Sequence, residues 1–146
     1  MPVALITGCS SGIGRALADV FKNAGYAVWA SARKAEDVAA LAAAGFTAVQ
    51  LDVNDGAALE HLSERINQQH GGLDVLINNA GYGAMGPLLD GGVPAMQRQF
   101  ETNVFAIVGV TRALFPVLRR AKGLVVNIGS VSGALVTPFA GAYCAS

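Results

Sequence analysis

The stretch "TGCSSGIG", Thr7 to Gly14, follows directly on the apolar run "VALI" and leads into a helix-like segment. In this position each glycine has a steric use. Gly8 allows a tight turn, Gly12 lets the backbone approach a phosphate, and Gly14 lets the helix lie close on the strand. The free N–H groups and positive end of the helix favour a pyrophosphate at this loop. Ser10 and Ser11 add hydroxyl donors, and Ile13 completes the surface offered to a ligand. The plainer alternative is a strand-turn-helix corner whose glycines serve packing alone.

Outward from this loop the pattern repeats. Apolar runs lie at Val3 to Thr7, Ala27 to Ser31, Thr47 to Leu51, Leu73 to Asn78 and Leu124 to Ile128. Each is apolar at nearly every position, as strands buried on both faces require. Between them, helix-like segments are expected at Gly12 to Ala24, Ala35 to Ala44 and Asp55 to Gln69, with a long fourth helix over Pro94 to Arg120. Gly25, Gly45 and Gly71 fall where helices should stop, and Asp55 is placed to cap the third. Regular alternation with short connections predicts an α/β fold with a doubly wound parallel sheet, which binds ligands at the carboxyl ends of its strands.

No repeat, charge block or linker divides the 146 residues, so residues 1–146 are expected to form one domain. Ten Lys plus Arg balance ten Asp plus Glu. No overall field therefore draws the chain to nucleic acid or to an anionic membrane. Charged residues are only 14% against roughly 25% in ordinary soluble domains, and the mean hydropathy is +0.45. Some apolar surface is expected to stay uncovered by this chain alone. Charged residues interrupt every apolar run before it reaches spanning length, and "MPVALITG" has no basic flank, so it reads as a strand rather than a leader. Cys9 and Cys144 stand far apart without partners at metal spacing, so no metal site is expected. Free thiols suit a reducing compartment, and the expectation is a cytoplasmic protein.

The spacing Gly-x-x-x-Gly-x-Gly in "TGCSSGIG" resembles the short-chain dehydrogenase/reductase family. Four further stretches agree in order: "LDV" at 51–53, "NNAG" at 78–81, Asn103 in "ETNVFA", and "NIGSVSG" followed by "YCAS". The resemblance covers the whole chain and implies the cofactor-binding part of a Rossmann-like fold, incomplete relative to the full family fold. It implies that Asp52 and Val53 flank an adenine, and that Asn79, Ala80 and Gly81 line the adenosine ribose and stabilise the central strand. Taken without it, Asp52 could cap a turn and "NNAG" could be turn chemistry.

The choice of nicotinamide cofactor lies at the end of the second strand, where an acid holds a free 2′-hydroxyl and a base holds a 2′-phosphate. Here "WASARKA" places Ala32, Arg33 and Lys34, which predicts NADP(H). Arg33 is preferred because guanidinium grips phosphate with a bidentate fork; the alternative is a pair of solvated charges at a helix start.

At the reacting end, Ser130 and Tyr143 stand thirteen positions apart and resemble the family's pair. The resemblance implies that Ser130 holds a carbonyl oxygen, Tyr143 acts as general acid or base, and Asn103 holds a relay water. Ser132 is the rival serine, and its spacing to Tyr143 fits less well. A tyrosine's ordinary pKa is about 10, and the family supplies positive charge with a lysine one helical turn further on. The chain ends three residues after Tyr143, before that position. The expectation is therefore an NADP(H)-dependent oxidoreductase acting on a small carbonyl or alcohol, with a lipid-like substrate, represented here by a part that is inactive alone. A homo-oligomer through the long fourth helix is also implied. The rivals are a non-catalytic dinucleotide sensor, which would not keep Ser130, Tyr143 and Asn103 together, and an inactive fragment.

Overall fold

Alternate residues of each strand point to opposite faces of a sheet, and two separate apolar cores here claim them in turn. A computed structural model describes residues 1–146. Strands β1 (Val3–Ile6), β2 (Ala27–Ala32), β3 (Thr47–Gln50), β4 (Val75–Asn78) and β5 (Leu124–Asn127) form one parallel sheet in the order β3-β2-β1-β4-β5. Val3, Leu5, Trp29 and Leu76 enter the core on one face. Ala4, Ile6, Val28, Ala30 and Ile77 enter the core on the other. Two covered faces explain why the inner strands β1, β2 and β4 are apolar at nearly every position rather than alternating.

Helices α1 (Gly12–Asn23) and α2 (Ala35–Ala43) cover the second face, supplying Ala18 and Leu41. Helix α3 (Gly56–His70) and helix α5 (Ala106–Ala121) cover the first, supplying Leu59, Leu62, Ile66, Val110, Leu114 and Val117. Asp55 caps α3 by accepting from the Ala58 N–H at 3.0 Å, and Gly71 ends that helix in the left-handed conformation. The fourth strand begins two residues later than expected, because the Leu73 N–H donates to the Val117 carbonyl of α5 instead of to a neighbouring strand.

The long fourth helix runs from about Pro94, as expected, but two features were not: a short helical stretch from Leu88 precedes it within α4 (Leu88–Phe100), separated by a break at Gly92 (φ 54°, ψ −161°) just before Pro94. The long path then passes through a π-helical turn over Glu101–Phe105 into α5. Proline is well tolerated as a helix begins anew but not inside one, which accounts for the break. The sheet order reverses direction at β1, so the carboxyl ends of β1 and β4 lie at the switch point of the fold. Strand β5 stands at the edge with Leu124 and Val125 exposed, which matches the uncovered apolar surface foreseen from composition. Helix α6 (Gly141–Ala145) follows a one-turn 3-10 segment at Val131–Gly133.

Candidate active site

The loop after β1 is held from behind by the segment after β4. Thr7 Oγ1 accepts from the backbone N–H groups of Asn79 and Ala80, each at 3.0 Å, and faces the Ile77 carbonyl at 3.4 Å. Asn79 Nδ2 returns the bonds, donating to the Thr7 carbonyl at 2.9 Å and the Gly8 carbonyl at 3.0 Å. A third tie runs from the Cys9 N–H to the Ser31 carbonyl of β2 at 2.7 Å. Close approach explains Gly14: a Cβ there would stand 2.3 Å from the Gly8 carbonyl oxygen and 2.4 Å from Asn79 Nδ2. Gly12 differs. Its φ is +57° and a Cβ would meet nothing within 4 Å, so its outer side is open.

Gly8, Ser10, Ser11, Ile13 and Gly14 of this loop, but not Gly12, form one wall of a cleft of about 710 Å³ that also takes in Arg33, Asp52, Val53, Asn79, Ala80, Gly81, Asn103, Ser130 and Tyr143. Ser11 precedes α1 in extended conformation without using its hydroxyl as a cap, and Ser10, Ser11 and Ile13 are exposed on the cleft. The wall thus offers free first-turn amides and free hydroxyls, a donor set for an anion. At the far end of β2, Arg33 is exposed and makes no ion pair, while Gln50 Nε2 donates to its carbonyl at 2.9 Å and steadies its backbone. Lys34 lies off the cleft, 3.7 Å from Glu36. Geometry therefore separates the two cations that sequence left side by side. Asp52 accepts from the Asn54 N–H at 2.9 Å, so it closes a turn as well as lining the cleft. These residues fit a dinucleotide bearing an extra phosphate at the Arg33 end.

At the other end, Ser130 Oγ accepts from the Ser132 N–H at 3.1 Å, which leaves its own hydrogen free to donate. Ser130 lines the cleft and Ser132 does not. The Tyr143 ring lies against Gly83, where a Cβ would come 3.5 Å from its Cγ, Cδ1 and Cε1 atoms. Asn103 Oδ1 accepts from the Tyr82 N–H at 3.1 Å, and its Nδ2 donates to the Tyr82 carbonyl at 2.9 Å and to Ser146 Oγ at 3.0 Å. Both amide hydrogens are spent, and one lone pair of Oδ1 remains for a water. Thr7 and Gln99, which hold this architecture, were not singled out from sequence. Thr7 stands inside the quoted loop, at the end of the central strand, where a hydroxyl was a usable signal.

Cys9 is buried, and desolvation raises its thiol from 9.0 to about 11, against smaller opposite effects of the Ser31 backbone bond and Arg15. It is a packing group and no nucleophile. Alkylation by iodoacetamide at pH 8 should therefore spare Cys9 in the folded protein, as peptide mass mapping would show; rapid labelling of Cys9 without unfolding contradicts this. Because the folded thiol is the weaker acid, the unfolded state ionises first. This contribution to stability is intact below pH 9 and is lost as pH rises towards 11.

The sequence model of the family described as short chain dehydrogenase matches residues 2–146. The chain belongs to the short-chain dehydrogenase family. It is 37% identical over 145 residues to the short-chain dehydrogenase cctT of Talaromyces islandicus, covering 97% of this chain and 51% of that protein. It is 35% identical to the NADPH-dependent 1-acyldihydroxyacetone phosphate reductase of Schizosaccharomyces pombe, over 97% of this chain and 49% of the relative. Among solved structures, a short-chain dehydrogenase from Streptomyces avermitilis superposes with a TM-score of 0.90 at 38% identity, over 99% of this chain and 54% of the other. An alcohol dehydrogenase from Thermococcus sibiricus, complexed with 5-hydroxy-NADP, superposes at 0.88 with 28% identity. The chain thus spans about half the length of the curated relatives it matches. The parallel sheet is the family's fold over that part. No helix is long and apolar enough to cross a membrane.

Proposed function

We propose that the protein is an NADP(H)-dependent oxidoreductase that interconverts a carbonyl and an alcohol, with Tyr143 as general acid and base. The observation that carries this reading is the shared cleft: the open glycine loop at one end and Ser130, Tyr143 and Asn103 at the other line a single cavity. NADP(H), when bound, supplies or takes up the hydride. Gly8, Ser10, Ser11, Gly12, Ile13 and Gly14 hold the pyrophosphate end, and Arg33 grips the 2′-phosphate. Asp52 and Val53 flank the adenine, while Asn79, Ala80 and Gly81 line the ribose. Ser130 donates its free hydrogen to the carbonyl oxygen, and Tyr143 gives the proton that completes the alcohol. In oxidation the Tyr143 phenolate takes that proton back. Asn103 keeps a water through its remaining lone pair.

A lipid-like substrate is the further part of the proposal. Met85, Val136 and Phe139 stay exposed on the segments that flank Gly83 and Tyr143, and Phe139 holds a left-handed backbone (φ 62°) that is unfavourable for an aromatic residue. The Schizosaccharomyces pombe relative, by its name, reduces an acylated ketone phosphate. Phe105, Val108 and Phe115 leave an apolar stripe open along the π-turn and α5, which supports assembly into a homo-oligomer.

The test is NADPH consumption by the intact protein with aldehydes and ketones of increasing chain length. Turnover that improves with chain length supports the reading. Tight NADPH binding without turnover of any carbonyl would instead identify a dinucleotide sensor. Arg33→Ala is expected to weaken NADPH by about tenfold to a hundredfold, the worth of a charge-assisted bond, while NADH binding changes little. Equal weakening of both cofactors in a fluorescence titration defeats the assignment of Arg33.

A further inference from the structure

We infer that Gln99 is a positioning residue for the active-site tyrosine: it clamps the Tyr82–Ala84 backbone, the seat on which the Tyr143 ring rests. Residues Gly81 to Pro87 are exposed and form no regular secondary structure. The Gly86 N–H ties the far end to the Phe139 carbonyl at 2.7 Å, and two side-chain amides hold Tyr82 to Ala84. Gln99, at the end of α4 and 0% exposed, accepts from the Ala84 N–H through Oε1 at 3.0 Å and donates to the Tyr82 carbonyl through Nε2. Asn103 takes the Tyr82 N–H and the second lone pair of the same carbonyl. Gln99 and Asn103 are four positions apart on one side of the helical path, Asn103 within the π-helical turn at Glu101–Phe105, so both amides reach one strip of backbone. Gly83, between the clamped residues, faces the ring of Tyr143, which a Cβ there would meet at 3.5 Å. Asn103 also donates to Ser146 Oγ, which donates to the Tyr143 carbonyl at 2.9 Å. The tyrosine is thereby held at ring and backbone by one hydrogen-bonded unit, and Gln99 anchors its buried end.

A primary amide is required because the loop presents one donor and one acceptor together. Methionine matches the volume but supplies neither bond, and glutamate supplies only the acceptor. The catalytic consequence rests on the proposed role of Tyr143, and the test keeps the two apart. In the intact protein, amide exchange of the wild type should show Tyr82 and Ala84 protected in spite of their exposed loop. Gln99→Met and Gln99→Glu should lose that protection, lower kcat for carbonyl reduction by about 10- to 100-fold, as expected for a misplaced reacting group, and leave NADPH affinity unchanged. Gln97→Met, on the exposed side of the same helix, should do none of this. Fast exchange at Ala84 in the wild type overturns the clamp even if both variants fail to fold. A folded Gln99→Met protein with wild-type kcat reduces Gln99 to packing and overturns the inference. Failure of the underlying reading shows separately, as a Tyr143→Phe protein that still reduces carbonyls.

Discussion

Tyr143→Phe should lower carbonyl reduction by about 10²- to 10⁴-fold, the usual worth of a positioned proton donor, and leave NADPH affinity intact. The substitution removes one oxygen. The ring remains against Gly83, the Ser146 bond to the Tyr143 carbonyl is untouched, and the dinucleotide end of the cleft is on other elements. The loss should therefore fall on kcat rather than on cofactor binding, because an interaction made only as charge develops on the carbonyl oxygen acts on the transition state alone. Single-turnover reduction in the intact protein, paired with a fluorescence titration of NADPH, separates the two. Wild-type turnover by the phenylalanine variant would remove Tyr143 from the chemistry, and loss of NADPH binding would make it a structural residue.

Gly14→Ala should damage both fold and site. A methyl group at this position would stand 2.3 Å from the Gly8 carbonyl oxygen, a backbone atom that cannot swing aside, and 2.4 Å from Asn79 Nδ2. To admit it, α1 must lift from β1 or the loop must move, and the paired bonds from Asn79 to Thr7 and Gly8 would break with it. Forcing a methyl into such a packed corner costs about 1–3 kcal/mol, so urea unfolding should show a clear loss of stability together with loss of NADPH binding. Gly12→Ala is the informative contrast. Its methyl enters open space, and its positive φ adds strain of roughly 1–2 kcal/mol, but no neighbour is displaced. The proposed role of Gly12 at the pyrophosphate predicts that NADPH affinity falls as well. Wild-type stability of the Gly14→Ala protein would contradict the close packing of loop and helix.

Much of this architecture was legible in the chain. Apolar runs revealed all five parallel strands, three of them buried on both faces, and the Gly8-Gly12-Gly14 spacing placed a glycine-rich turn at the end of the first. Pro94 marked the start of the long helical path after the break at Gly92, but the short helical stretch from Leu88 goes unmarked because "LLDGG" contains two glycines that disfavour helix. The π-turn that carries Asn103 leaves no mark in the periodicity, since one inserted residue is absorbed within a single apolar surface. Gln97 and Gln99 look alike in "MQRQF", yet one is exposed and the other fully buried.

The kinds of element, their order and the residue types available to the cleft follow from local sterics and from the burial that apolar runs demand, and these are written along the chain. The preferences for Arg33 over Lys34 and Ser130 over Ser132 were already in the sequence, and the cleft lining agrees with them; the burial of Gln99 rather than Gln97 comes from tertiary structure alone. The physical reason is the range of the bonds involved. Thr7 and Asn79 are 72 positions apart, Asn103 and Tyr82 are 21 apart, and no local pattern encodes a hydrogen bond whose partners meet only after the sheet has closed around them.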